Sequence, residues 1–258
     1  MPKNYGRNLP VWVSQNFLTS RGIIERLLRL TNINRTDHVI EIGPGKGHIT
    51  AVLQRYCRNV SAIEIDHKLY NRLQDKLEGN VKLYCQDFMT WQLPNDGEYK
   101  VFANIPFNRT TDILRKLTEC RNPPTEAWLV MEKGAAKRFM GNVHETLASL
   151  LIKPFFDTSI KYHFRREDFH PAPKVDVVLF HLSRKNSPDI APDERRMYKR
   201  FMENCFARPS KLYNLLTHRQ VAKALAMESL SREDIRKGNM LYVQWLCLFR
   251  CYMKFGRK

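Results

Sequence analysis

The run His38-Val39-Ile40-Glu41-Ile42 leads directly into Gly43-Pro44-Gly45-Lys46-Gly47, and no other feature limits the possible folds of this chain so strongly. The first five residues read as a buried strand. The glycines permit a tight turn and let a ligand come close to the backbone. Residues 48–57 then suit a helix. A strand that ends in a glycine turn and feeds a helix is the opening unit of an open α/β sheet, whose ligands bind beyond the carboxyl ends of the strands.

The alternation continues. Val60 to Ile65 predicts a second strand and His67 to Leu77 a second helix. Val81 to Cys85, Lys100 to Ala103 and Ala127 to Met131 predict further strands, with a helix over Thr111 to Glu119 that Thr110 or Thr111 would cap. Two late strands are expected near Ser159–Phe164 and Val175–Leu182. Such alternation predicts a mostly parallel sheet covered on both faces.

The glycine loop selects among ligands. A dinucleotide site needs Gly-x-Gly-x-x-Gly, and position 48 is His48; a phosphate-cradling loop needs Gly-Lys followed by Ser or Thr, and Gly47 follows Lys46. Gly-x-Gly-x-Gly fits S-adenosylmethionine, which has no phosphate. Glu64 closes the second strand, where a carboxylate can accept from both ribose hydroxyls, and Asp87 follows the third, where it can accept from an adenine amine beside Phe88.

Asn104-Ile105-Pro106-Phe107 ends the fourth strand. The N6 lone pair of adenine is delocalised into its ring and is a weak nucleophile. An Asn side-chain oxygen and a neighbouring backbone carbonyl, of Ile105 or of Pro106, can accept both N6 hydrogens and turn the lone pair toward a methyl sulfonium. Pro106 stiffens the loop and Phe107 offers a stacking face. Catalysis would then be positioning plus preorganised acceptors. A cytosine-C5 enzyme would need a cysteine in this loop, and none is present.

With these residues in hand, the chain resembles the adenine-N6 ribosomal RNA methyltransferases: the Erm macrolide-resistance enzymes and the related KsgA-type dimethyladenosine transferases. The likeness rests on Ser14-Gln15-Asn16-Phe17-Leu18, on Glu41 to Gly47, on Ile63-Glu64-Ile65-Asp66, on Gln86-Asp87, on Asn104 to Phe107, and on Phe169-His170-Pro171-Ala172-Pro173-Lys174-Val175. The resemblance implies that Asn16, Leu18, Gly43, Gly45, Glu64, Ile65, Asp87, Phe88 and Asn104 surround S-adenosylmethionine. It also implies that Phe107 and Phe169 flank a flipped adenine. Asn-Ile-Pro and Ser-Gln-Asn-Phe-Leu lean toward the Erm branch. That branch implies an adenine of 23S ribosomal RNA as target and macrolide-type antibiotic resistance as outcome. A small-subunit ribosomal RNA target, or a non-catalytic nucleic-acid-binding relative of the same fold, stays open at this point.

The chain carries 43 Lys/Arg against 26 Asp/Glu, a net charge of +17, which calls for a densely anionic partner such as RNA. Arg165, Arg166 and Lys174 beside the aromatic-proline loop are candidate phosphate contacts. Ser183 to Asp193 is the expected linker, and residues 184–258 hold 17 Lys/Arg against 7 Asp/Glu. The expected fold is α/β: a Rossmann-like class I S-adenosylmethionine-dependent methyltransferase domain over 1–183, followed by a small, basic α-helical RNA-binding domain over 184–258 with breaks near Pro209 and Gly238. The six cysteines form no Cys-x-x-Cys pair, and no metal is expected. The polar Met1 to Pro10 and the lack of a long apolar run predict a cytoplasmic chain with no membrane partner. A monomer is expected.

Overall fold

The computed structural model describes residues 16–141, 144–226 and 240–256. Ser14, Gln15 and Gly238 lie outside the described residues.

Among the described residues, nine strands alternate with helices: β1 (Phe17–Leu18), β2 (His38–Ile42), β3 (Asn59–Glu64), β4 (Val81–Cys85), β5 (Lys100–Asn104), β6 (Glu126–Glu132), β7 (Phe156–His163), β8 (Phe169–His170) and β9 (Val177–Arg184). Seven of them form one sheet in the order β4-β3-β2-β5-β6-β9-β7, and the run from β4 to β6 is parallel throughout. The short β1 and β8 pair separately and antiparallel, with Phe17 opposite His170 and Leu18 opposite Phe169. In the β2–β3–β4 ladder Ile42 pairs with Ile63 and Glu64 with Cys85, and Asn104 pairs with Val130 across β5 and β6. All carboxyl ends of the parallel strands therefore meet at one edge, the edge where open α/β sheets bind ligands.

The sheet's central strands are apolar on both faces because helices cover both. Val39, Ile40, Val101, Phe102, Leu129 and Val130 are fully buried. The covering helices are α1 (Arg21–Arg29), α2 (Thr50–Tyr56), α3 (His67–Gln74) and α4 (Thr110–Glu119). The sequence reading did not include α1. Its apolar side, Ile24, Leu27 and Leu28, is buried, and the Ser20 hydroxyl caps it by accepting the Ile23 N–H at 3.4 Å. Asp66 caps α3 by accepting the N–H groups of Lys68 and Leu69 at 2.7 and 3.2 Å, which ends β3 sharply at Glu64 and leaves Ile65 44% exposed. Thr110, expected as a cap, is instead the first residue of α4. Its hydroxyl donates to the Phe107 carbonyl at 3.0 Å.

The remaining helices are α5 (Lys133–Met140), α6 (Leu147–Ile152), α7 (Arg195–Cys205), α8 (Leu212–Leu215), α9 (His218–Ala226) and α10 (Tyr242–Phe255). The chain divides into two compact units, Met1–Ala135 with Ser159–Leu182, and Ala136–Thr158 with Ser183–Lys258. The last of its three division points lies between Leu182 and Ser183, and residues 136–158 interrupt the first unit. Residues 136–158 group with the C-terminal helices, for physical reasons the local sequence pattern does not carry. The Tyr198 hydroxyl donates to the Leu150 carbonyl at 2.9 Å, and the Lys185 and Asp189 N–H groups donate to the carbonyls of Phe155 and Pro154 at 2.8 Å. The core of this second unit holds Trp245, Leu248 and Phe249 of α10, with the Tyr198 and Phe249 rings edge-on at 5.0 Å.

Candidate functional site

A cavity of about 410 Å³ opens at the carboxyl edge of the sheet. Gly43, Gly45 and Gly47 all have φ between 61 and 82°, the left-handed region that side-chain-bearing residues avoid. At Gly45 the constraint is also one of space. A Cβ there would stand 2.8 Å from the Phe17 ring, so only hydrogen lets the glycine loop and β1 close on each other.

Glu64 braces that loop. Its carboxylate is buried, with Oε2 accepting the Gly45 N–H and Oε1 accepting the Asp66 N–H, both at 2.9 Å. Burial raises its pKa, while the two N–H donors pull the other way. Each oxygen keeps a lone pair for a further donor, and Glu64 lines the cavity. Asp87 is held comparably: Oδ1 accepts the Met89 N–H at 2.8 Å. The turn after it is tied down from α4, because the Lys116 ammonium donates to the carbonyls of Phe88, Met89 and Trp91 at 2.5, 2.9 and 2.5 Å. The same ammonium lies 4.9 Å from the centroid of Phe88, a cavity wall.

On the opposite wall, the Asn104 Nδ2 donates to the Asn16 carbonyl at 2.7 Å. With its amine end engaged, the amide presents Oδ1 as a free acceptor. The Pro106 carbonyl accepts the Arg109 N–H at 3.0 Å as Phe107–Arg109 turns into a short 3-10 helix. Of the two backbone carbonyls left open by the sequence, that of Ile105 is therefore the less encumbered.

Asn16, Gly43, Gly45, Glu64, Ile65, Asp87, Phe88 and Asn104 to Phe107 all line this one cavity. Leu18 and Phe169 do not. They face each other across β1 and β8, are 2% and 4% exposed, and belong to the sheet's core cluster, with the Phe169 ring 5.1 Å from that of Phe164. Arg165, Arg166 and Lys174 are exposed and lie outside the cavity lining. Arg166 donates to the Lys174 carbonyl at 3.4 Å, and Arg165 pairs with Glu167 at 3.9 Å. The sequence reading missed Arg109 and Asn108 as cavity-lining residues. Their signal was position alone, directly after Phe107 in the same short turn.

Glu41 lies beneath the loop, 1% exposed, with Oε2 unpartnered. Burial, opposed by hydrogen bonding from Thr50 and aided by the neighbouring Glu64 carboxylate, pushes it up to about 8 from an ordinary 4.5. Between those two values the folded chain holds a proton that the unfolded chain has released. Stability from this group is therefore complete below the lower value and falls as pH rises toward the upper one. Glu41→Gln removes the titration. We expect it to raise Tm more at pH 8 than at pH 5, read by thermal unfolding at both. An equal shift at the two pH values would contradict the buried, protonated assignment.

Residues 11–242 match the family described as ribosomal RNA adenine dimethylase. The chain belongs to this family. An rRNA adenine N-6-methyltransferase of Limosilactobacillus reuteri is 36% identical over 95% of this chain and 97% of its own length, and one of Lysinibacillus sphaericus is 37% identical over 94% and 96%. Among solved structures, the 23S rRNA methyltransferase ErmE superposes with a TM-score of 0.79 at 26% identity, covering 92% of this chain and all of that one. A dimethyladenosine transferase of Plasmodium falciparum gives 0.73 at 22% identity over 92% of this chain and 97% of its own, a likeness of fold. Both neighbours agree with the class I methyltransferase architecture of the parallel sheet, and the family is one of methyltransferases. No described helix is long and apolar enough to cross a membrane.

Proposed function

We propose that this adenine dimethylase family member transfers a methyl group from S-adenosylmethionine to N6 of an adenine in 23S ribosomal RNA, and that the modification confers macrolide-type resistance. The observation that carries the chemistry is the Asn104 amide, tethered through Nδ2 to the Asn16 carbonyl so that Oδ1 is left to accept. The near-full-length likeness to ErmE favours the large-subunit target.

The residues present fit the cofactor. Bound S-adenosylmethionine supplies an electrophilic methyl group on sulfur. Glu64 would accept from the ribose hydroxyls with the lone pairs its two backbone donors leave free. Asp87 and Phe88 would bracket the cofactor's adenine, and Gly43 and Gly45 let the backbone come close. For the target base, Asn104 Oδ1 and the Ile105 carbonyl would accept the two N6 hydrogens and Phe107 would stack. N6 would bond to the methyl carbon as the sulfur–methyl bond breaks, with S-adenosylhomocysteine leaving as a neutral thioether, and would give one proton to water, so no strong base is required. Phe169 would act from below, holding β1 and hence the Asn16 carbonyl in place rather than stacking on the base. Arg165, Arg166 and Lys174, with the basic helical region 184–258, would meet phosphates. We assign the chain to the cytoplasm as a monomer.

The test is to offer labelled cofactor with naked large-subunit RNA, naked small-subunit RNA and small-subunit particles in parallel. Label is expected in naked large-subunit RNA and should fall steeply with added salt. A sensitive bacterium expressing the chain should become macrolide-resistant. Label confined to small-subunit particles would reassign the target and leave the adenine-N6 chemistry standing.

A further inference from the structure

The cavity has an uneven charge. Its lining includes two carboxylates, Glu64 and Asp87, on the side of β3 and β4, and among the described residues a single cationic side chain, Arg109. Arg109 sits on the 3-10 turn that begins with Phe107, so it shares a rigid three-residue element with the ring proposed to stack on the target adenine. Its side chain is 47% exposed, placing it at the rim. Its Asp112 partner stands 3.8 Å away and is 50% exposed. An ion pair so open to water holds an Arg side chain only weakly, ~0–1 kcal/mol.

A base drawn out of folded RNA brings its own phosphates to the mouth of the pocket it enters. We infer that Arg109 forms a phosphate subsite there, gripping an RNA phosphodiester next to the target adenine, with the exposed Asn108 beside it as a second polar contact. This rests on the RNA-methylating function proposed above. The guanidinium fork suits two phosphate oxygens. The alternative ligand, the cofactor's carboxylate, is less favoured by position. Arg109 follows the target-base loop after β5, on the turn that carries Phe107, whereas Glu64 ends β3, two strands away in the sheet. Gripping the phosphate would fix the extruded nucleotide in register with Asn104 and Phe107, so the contact serves both affinity and positioning.

The experiment uses the full chain and a hairpin RNA carrying the mapped target adenine, made either with natural linkages or with a neutral methylphosphonate on one or the other side of that adenine. Arg109→Ala is expected to lower kcat/KM for the natural hairpin roughly tenfold, the lower end of a charge-assisted contact. It should also reduce the salt dependence of RNA binding by about one phosphate's worth. Arg109→Lys should recover part of the loss. One of the two neutral linkages should cost the wild type a similar factor and cost Arg109→Ala almost nothing, since the partner is already gone. Cofactor affinity should not move. Losses that multiply in the double perturbation, or a weaker cofactor Kd with unchanged RNA affinity, would overturn the assignment of Arg109 while leaving the function intact. A wild-type chain that binds cofactor but labels no RNA would overturn the functional reading and this inference with it.

Discussion

Asn104→Ala is expected to lower the single-turnover rate of methyl transfer by roughly 10²–10³, the scale for losing one preorganised polar group at a reacting atom. RNA affinity should be nearly unchanged, because phosphate contacts dominate it. The structure sharpens this expectation into a comparison of two variants. Asn104→Asp keeps an oxygen where Oδ1 stands but puts a second oxygen against the Asn16 carbonyl, 2.7 Å away, where Nδ2 now donates. Two acceptors cannot share that contact, so the carboxylate must turn or draw a proton. The Asp variant should therefore fall close to the Ala variant despite its good acceptor. If Asn104→Asp kept most of the wild-type rate, the tether to Asn16 would be irrelevant and acceptor strength alone would matter. The assay is rapid-mix labelling with saturating RNA and cofactor, so that binding does not enter the rate.

Parts of this site were legible in the sequence because they rest on local rules. A glycine turn after an apolar strand, acids at the ends of β3 and β4, and Asn-x-Pro-aromatic at the end of β5 all fall on one edge once the sheet is parallel. That much follows from strand direction. The strand order and the pairing of Asn104 with Asn16, 88 residues apart, do not. The same limit explains Phe169. The family resemblance implies that it flanks the target base, and what the local sequence does not carry is its pairing with Leu18 and its place in the core cluster beside Phe164. It also explains residues 136–158. Their local pattern continues the α/β alternation, and only contacts such as Tyr198 to Leu150 draw them to the C-terminal helices. The helix α1 was missed for a different reason. Only three of its nine residues are buried, too short a stripe to announce itself against the charged residues around it.

The cofactor side yields the second large effect. Glu64→Ala should weaken S-adenosylmethionine binding by about 1–3 kcal/mol, roughly fivefold to more than a hundredfold in Kd by calorimetric titration. Two losses combine in that figure. The ribose hydroxyls lose their proposed acceptor, and the N–H groups of Gly45 and Asp66 lose theirs, so the loop is no longer held in its left-handed geometry before the ligand arrives. Glu64→Gln separates the two. An amide there is nearly the same size and keeps one oxygen, but its NH2 end must face either the Gly45 or the Asp66 N–H, because the present carboxylate accepts one on each oxygen. A donor set against a donor at that spacing is repulsive, so Gln should lose most of what Ala loses. Were Gln instead to bind like the wild type, the two-sided brace would not be what prepares the loop. The raised pKa of Glu64 adds a direction. Protonation converts one accepting oxygen into a donor and repeats the Gln defect. Cofactor affinity should therefore weaken as pH falls into the range where Glu64 titrates, and the Gln variant should not show that dependence.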